Sequence, residues 1–422
     1  MSPDRLPVAL RAYAVPIKPN RRRRWRGLRS PPPQQRTIVF DTESTTDPSQ
    51  RLTFGASRYY VDRQGTLPAT HCVEETVFHA DDLEAFCPGA LDVLRRYAET
   101  HRAEVAPGRA RRLLLRARRE WAERVLFKRG VLGKATIVCF NVPFDLSRIA
   151  IDATEGRDAN FGGNSLVVLD KGGLRPRITT RALDSKRSLL GLTRFKDSDG
   201  FRGDFVDCRT FDFALTGEAA SLERACSKWG VEYVKRDVTH GQVTDEYVTY
   251  CREDVWATAQ LYRALVAELR RHPIDLEPSK AFSPASVGKA YLRALGVLPV
   301  LRRQPRFKKR FLAMAMEAFY GGRAECRIRR CPVPVVHTDF TSMYPTVNAL
   351  MGIWALTIAQ RIDVEDATED ARAMIEDPIS PSTCSTTRSG DSSPVSSSSS
   401  HTGRSFRFAP ATTLPVPTSG LA

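Results

Sequence analysis

From Thr37 onward, apolar and β-branched positions gather in short runs, TIVFDTES, LTFGASRYYVD and HCVEETVFH, each bounded by polar or glycine-containing segments. Runs of that length predict a series of strands. Between about residues 81 and 130 the spacing lengthens. There Leu114, Trp121 and Val125 mark one face and the arginines of RARRLLLRARRE the other, which predicts helix. ATIVCFNVPFDLSRIA, at 135 to 150, predicts strand, turn and helix, and FRGDFVDCRTF, at 201 to 211, a further strand. Two helices are expected next, SLERACSKWG at 221 to 230 and TDEYVTYCREDVWATAQLYRALVAEL at 244 to 269. Gly230 ends the first, and Thr244 is placed to cap the second ahead of acids in its first turn. Strands first, with helices interleaved afterwards, predict an α/β domain.

Both ends of the chain fall outside this patterning. Residues 1–36 carry RRRRWRG and then SPPPQQ, a basic arm and a breaker that predict disorder; its arginines suit loose phosphate contacts as well as plain solvation. PIDLEPSKAFSP, at 273 to 284, predicts a joint to a second segment, 273–377, which holds AFYGGRAEC and VVHTDFTSMYP. From 378 to 422 the chain is rich in Ser, Pro and Thr, with too few apolar anchors for a core.

Charge narrows the partners. Lys and Arg number 64 against 48 Asp and Glu, a net +16 that favours a polyanion, nucleic acid first and an acidic membrane surface second. No window approaches the roughly 18 apolar residues of a spanning helix. Arg5, Arg11 and Lys18 interrupt every short apolar run near the start, so no secretory signal core is expected. Nine cysteines include no C-x-x-C pair, and only Cys326 and Cys331 stand close together. Reduced thiols in a cytoplasmic protein are the expectation, not a disulfide framework or a zinc site.

Three spacings then stand out. Asp41 and Glu43, two apart in an extended segment, point the same way, and their carboxylates repel unless a proton or a metal is shared. Asn141 and Asp145 are four apart just after the apolar TIVCF, and Tyr250 and Asp254 stand at i and i+4 of a helix. A D-x-E alone is more often two exposed acids at a strand end. Four acids in one α/β domain, however, suit hard cations, which take oxygen ligands and need their charge cancelled.

In this order the three segments resemble the Exo I, Exo II and Exo III motifs of the proofreading exonuclease domain of family B DNA polymerases. The matching residues are Asp41 and Glu43; Asn141, Phe144 and Asp145; and Tyr250 and Asp254. Ser221 and Leu222, with Ala225, are similar to the family's Ser/Thr-Leu-x-x-hydrophobic motif, and Lys235, with Val238, to its Lys-x-x-hydrophobic motif. The resemblance implies a ribonuclease H-like 3′-to-5′ exonuclease domain over 37–272. It implies that Asp41, Glu43, Asp145 and Asp254 bind two Mg²⁺ (or Mn²⁺) ions and that Tyr250 orients the attacking water. Asn141, Phe144, Ser221, Leu222 and Lys235 would contact the single-stranded 3′ end of DNA. A turn-stabilising Asn, a core Phe and a helix-capping Ser are the plain structural alternatives.

HTDFTSMYPTVN, at 337 to 348, resembles polymerase motif A of the same family, with Met343 where Leu is usual. That implies a metal-binding Asp339, with Ser342 and Tyr344 as nucleotide contacts and Tyr344 packed under the deoxyribose. Tyr320, Gly321, Gly322 and Arg323 are similar to the family's Tyr-x-Gly-Gly motif, where glycines let backbone approach the template. Nothing after residue 348 resembles motifs B or C. The expectation is therefore an incomplete palm and a truncated or frame-shifted tail. Such a chain, monomeric in its own or a host cytoplasm, would not join dNTPs to a primer-template by itself. A stand-alone exonuclease of the same superfamily and a catalytically inactive DNA-binding remnant stay open as alternatives.

Overall fold

The computed structural model describes residues 10–15, 36–61, 71–156, 163–169, 176–182, 188–192, 203–317, 328, 330–334, 336 and 342–376. After β1 (Leu10–Val15), an antiparallel meander is formed by β2 (Arg36–Ser44), β3 (Leu52–Val61) and β4 (Cys72–His79). β5 (Leu114–Ala117) joins β4 in parallel, and β6 (Thr136–Cys139) joins β2 in parallel on the other side. A separate antiparallel sheet follows, of order β10-β9-β8-β7, from β7 (Asp152–Glu155), β8 (Asn164–Val167), β9 (Ile178–Ala182) and β10 (Ser188–Leu192). β11 (Asp204–Asp207) then returns to pair in parallel with β6. The main sheet is thus mixed and six-stranded, of order β11-β6-β2-β3-β4-β5. β2 lies inside it, which is why Ile38, Val39 and Phe40 are all apolar and fully buried where a half-exposed strand would alternate.

Helices cover this sheet. α1 (Leu83–Phe86) and α2 (Ala90–Thr100) follow β4; α3 (Arg118–Trp121) follows β5 and runs on into π-helical turns over Ala122–Leu132. α4 (Val142–Ile149) follows β6, and α5 (Cys208–Thr216), α6 (Leu222–Lys228) and α7 (Asp245–Arg271) follow β11. Thr244 caps α7 by accepting from the Tyr247 N–H at 3.2 Å, and Asp245 and Glu246 complement the positive end of the helix. α7 lies across β2, β3 and β6.

An ion cluster fixes α7 against the sheet. Glu75 on β4 accepts from Arg58 Nε on β3 at 3.1 Å and from Arg252 Nε and Nη2 on α7 at 2.9 and 3.0 Å. All three side chains are buried. Arg252 also donates to Tyr97 Oη at 2.9 Å and to the Arg102 carbonyl at 3.0 Å. Burial pushes the Glu75 carboxyl up, but the bonds and charges of Arg252 and Arg58 outweigh it and hold the group below its ordinary value. The guanidinium fork matches a carboxylate in two bonds, so it sets the rotation of the helix as well as its distance.

The expected helix over 81–130 is broken by β5, where Arg116 reaches Glu74 at 2.8 Å and Thr76 at 2.9 Å on the neighbouring strand. FRGDFVDCRTF is strand only to Asp207, whose side chain accepts from the Arg209 and Thr210 N–H groups and so starts α5. Residues 273–284 pack onto the α/β body instead of separating from it. Ile274, Leu276 and Ala281 are buried, and α8 (Pro284–Ala294), opened by a Ser283–Ser286 capping box, lies against α5. Ala14–Ile362 accordingly falls in one compact unit.

Beyond α8 come α9 (Val300–Arg303), α10 (Lys309–Glu317), α11 (Met343–Leu350) and α12 (Trp354–Ile358), with Leu295, Met316, Tyr344, Leu350 and Met351 exposed. β12 (Arg361–Asp366) and α13 (Thr368–Glu376) follow. β12 pairs with β1, so part of the arm expected to be disordered is strand. Arg11 reaches Asp370 at 2.9 Å and Tyr13 Oη donates to Glu365 at 2.5 Å. The rest of the arm, 1–9 and 16–35, and the tail 378–422 lie outside the described residues. Among the described residues no helix is long and apolar enough to cross a membrane.

Replacing Glu75 with Ala strands two buried guanidinium groups, and the expected loss of unfolding free energy is about 3–5 kcal/mol. Urea unfolding measures it; a loss below about 1 kcal/mol would show that the cluster does not hold α7.

Candidate metal centre

The site forms where β2 ends. Its pleat turns Asp41 and Glu43 to one face and Thr42 to the other. On α7, Tyr247, Tyr250, Cys251 and Asp254 recur at i, i+3, i+4 and i+7, a single helical stripe. That stripe meets the acids of β2. Tyr247 Oη donates to Glu43 Oε2 at 2.5 Å, and Cys251 Sγ lies 3.8 Å from Asp41 Oδ2. A carboxylate oxygen of Asp41, one of Glu43 and the Cys251 sulfur all lie within 4.8 Å of one another.

Asp145 and Asp254 complete the neighbourhood from outside that tightest set. Asp145, in the first turn of α4, accepts at Oδ1 from the Thr42 N–H at 3.1 Å and the Thr42 hydroxyl at 2.8 Å. Asp254 accepts at Oδ1 from Tyr233 Oη. The close pass of β3 depends on Gly55, since a Cβ there would stand 2.6 Å from the Asp41 carbonyl oxygen and 2.4 Å from Phe78 Cζ. The four acids singled out in the sequence therefore gather at one strand end.

Their charges are poorly balanced. Burial pushes the Asp41 carboxyl well up, and the charges of Asp145, Glu43 and Asp254 push it further. Burial likewise lifts Glu43 to about 8, against the Tyr247 bond, with Asp254 and Asp145 adding to the rise. Asp145 is pushed up to about 7, burial outweighing its bonds from Thr42. Asp254 is raised by burial despite bonds from Tyr233 and Tyr250. Lys235 offsets the repulsion at Glu43 and Asp254 only in part.

Carboxylates in this state take up either protons or cations. The donor set fits a divalent ion: the oxygens are hard, close together and short of positive charge. Cys251 is fully buried, and burial followed by the charges of Asp41 and Glu43 drives its thiol well up, so it stays S–H beside an oxygen-seeking ion.

Other residues singled out in the sequence are placed as follows. Asn141 occupies the N-cap position of α4 without a side-chain capping bond, and half-buried Phe144 lies 4.9 Å beneath the Arg148 guanidinium. Tyr250 is buried and bonded to Asp254. Ser221 is exposed and caps α6 by accepting from the Arg224 N–H at 3.4 Å, the plain structural role, while Leu222 packs on the core. Lys235 is exposed, its Nζ 5.5 Å from the centre of the Tyr250 ring. Ser342 precedes α11 with φ of 56° and no side-chain capping bond, and Tyr344 is exposed in that helix's first turn. Tyr320, Gly321, Gly322 and Asp339 lie outside the described residues.

Five contributors escaped the sequence reading. Tyr247 and Cys251 share the helical stripe of Tyr250 and Asp254 and were open to discovery by that spacing. Thr42, Tyr233 and His240, whose Nδ1 is 3.2 Å from Tyr247 Oη, act through tertiary contacts that no local pattern announces.

Because these carboxyls are raised in the folded chain, that state keeps protons the unfolded chain has released between about pH 4 and about pH 8. Without divalent cations, stability is therefore highest at the acid end of that window and falls as pH rises through it. Mg²⁺ or Mn²⁺ flattens the fall, and Glu43→Gln in EDTA near pH 8 melts a few degrees higher than the parent chain. Thermal melts across the window check this, and a melting temperature that climbs with pH in EDTA contradicts it. Comparison with known proteins leaves the chemistry of this centre to its geometry: no protein-family model matches the chain, and no curated protein matches it.

Proposed function

We propose that the chain is a metal-dependent 3′-to-5′ exonuclease of ribonuclease H-like fold, the proofreading part of a family B DNA polymerase. The convergence of Asp41, Glu43, Asp145 and Asp254 from β2, α4 and α7 carries this reading. The mixed sheet, with the acid-bearing strand inside it and helices against it, supports the fold assignment. The net charge of +16 supports a polyanionic substrate.

Asp41, Glu43, Asp145 and Asp254 would hold two Mg²⁺ (or Mn²⁺) ions. Bound there, such ions supply activation of a water and neutralisation of the departing 3′ oxygen. The chain's own groups keep the ligands in place. Tyr247 takes up Glu43 Oε2, Thr42 takes up Asp145 Oδ1 and Tyr233 takes up Asp254 Oδ1, which leaves the second oxygen of each carboxylate clear of that bond. Burial and the charge of Asp254 push the Tyr250 phenol upward, so it keeps its proton, donates it to Asp254 and would orient water through its oxygen as an acceptor, not act as a base. Phe144 offers a ring for base stacking, with Arg148 over it, and Asn141 and exposed Lys235 would meet the strand's polar groups. Primer extension with dNTPs is not part of the proposal.

A 5′-labelled single strand incubated with the full chain and Mg²⁺ is expected to shorten one nucleotide at a time. Asp41→Ala slows this by about 100-fold or more, and Tyr247→Phe, which frees a ligand oxygen, by roughly 10-fold with partial recovery at higher Mg²⁺. Binding of the strand by the parent chain with no shortening overturns the reading in favour of a DNA-binding role.

A further inference from the structure

Cys251 has no part in the proposed hydrolysis, yet its fully buried sulfur points at the ligand cluster. It stands 3.8 Å from Asp41 Oδ2 and 3.9 Å from the Asp41 carbonyl oxygen, both weak contacts for a thiol. Mg²⁺ makes no use of sulfur, whereas Zn²⁺ and Cd²⁺ favour it. With Zn–S near 2.3 Å and Zn–O near 2.0 Å, a tetrahedral ion sets sulfur and oxygen ligands about 3.5 Å apart. The observed 3.8 Å between Cys251 Sγ and Asp41 Oδ2 is within a small side-chain rotation of that value. Glu43 supplies the third donor inside the same 4.8 Å radius, and its bond from Tyr247 engages only Oε2.

We propose that Asp41, Glu43 and Cys251 form a three-donor site for a thiophilic divalent cation, Zn²⁺ in the first instance, which displaces Mg²⁺ from the two carboxylates and shuts the centre. On binding, the Cys251 S–H bond breaks, the sulfur electron pair goes to the metal and the proton leaves to solvent. The fourth position is left to water, as in other zinc sites with three protein ligands. The site's regulatory meaning rests on the exonuclease reading, because Asp41 and Glu43 serve both ions; its existence does not.

Cd²⁺ is the probe, since a cadmium–thiolate bond adds an ultraviolet charge-transfer band that cadmium–carboxylate binding lacks. Titration of the full chain is expected to give a band increment of one equivalent that is lost in Cys251→Ser and in Asp41→Asn, with circular dichroism establishing that each variant is folded. Zn²⁺ displaces the increment. In thermal melts, the ratio of Zn²⁺ to Mg²⁺ needed for an equal rise in melting temperature increases at least about 10-fold in Cys251→Ser. Where one variant fails to fold, Cys251→Ala and Glu43→Gln take its place. An increment that survives in Cys251→Ser, or in Asp41→Asn, overturns the proposal. The band needs no DNA, so a chain that shows it without shortening single strands retains the metal site and loses the exonuclease reading; the reverse result does the opposite.

Discussion

Negative charge held out of water at the end of one buried strand is the constraint to which the surrounding structure answers. Each carboxylate taken into the interior costs several kcal/mol unless something compensates it. Here the compensation is partial. Single oxygens of Glu43, Asp145 and Asp254 receive hydrogen bonds from Tyr247, Thr42 and Tyr233, and the remaining repulsion is left in place. That residue of unfavourable energy is what a bound cation would relieve, and the ligand groups already stand close together without one.

Such a cluster persists only if the elements bearing it cannot drift apart. β2 is parallel to β6 over Thr37–Val39 and antiparallel to β3 as far as Ser44, so its acid-bearing end is held to the sheet through β3. α7 is fixed by the Arg58–Glu75–Arg252 cluster, whose helix member lies in sequence between Cys251 and Asp254. One stretch of helix thus presents a cation, Arg252, to a buried acid on the sheet and an acid, Asp254, to the strand end nearby. The two arrangements have opposite electrostatic character: a satisfied ion cluster that locks geometry, and an unsatisfied one poised to bind.

Legibility in the sequence followed periodicity. Asp41 and Glu43 were visible because side chains two apart in a strand share a face, and Tyr250 and Asp254 because residues four apart on a helix do. The same rule contained Tyr247 and Cys251, which apolar or aromatic character disguised as core. β5 was misread because LLL among arginines has helical spacing, and only the open edge of β4 makes it a strand; tertiary pairing overrode local preference. β1 was hidden more deeply, since its partner β12 lies at the other end of the chain. Residues 152–192, as four short strands broken by polar segments, gave no period long enough to read.

The assembly of the centre from segments widely separated along the chain has a consequence for biosynthesis. β2 leaves the ribosome early, whereas α7, which carries Tyr247 and Asp254, follows only after β3 to β11. Until that helix docks, Asp41 and Glu43 lack the partners that α7 brings to them in the folded chain. The candidate centre is therefore complete only once α7 settles across the strands, a contact of long sequence separation.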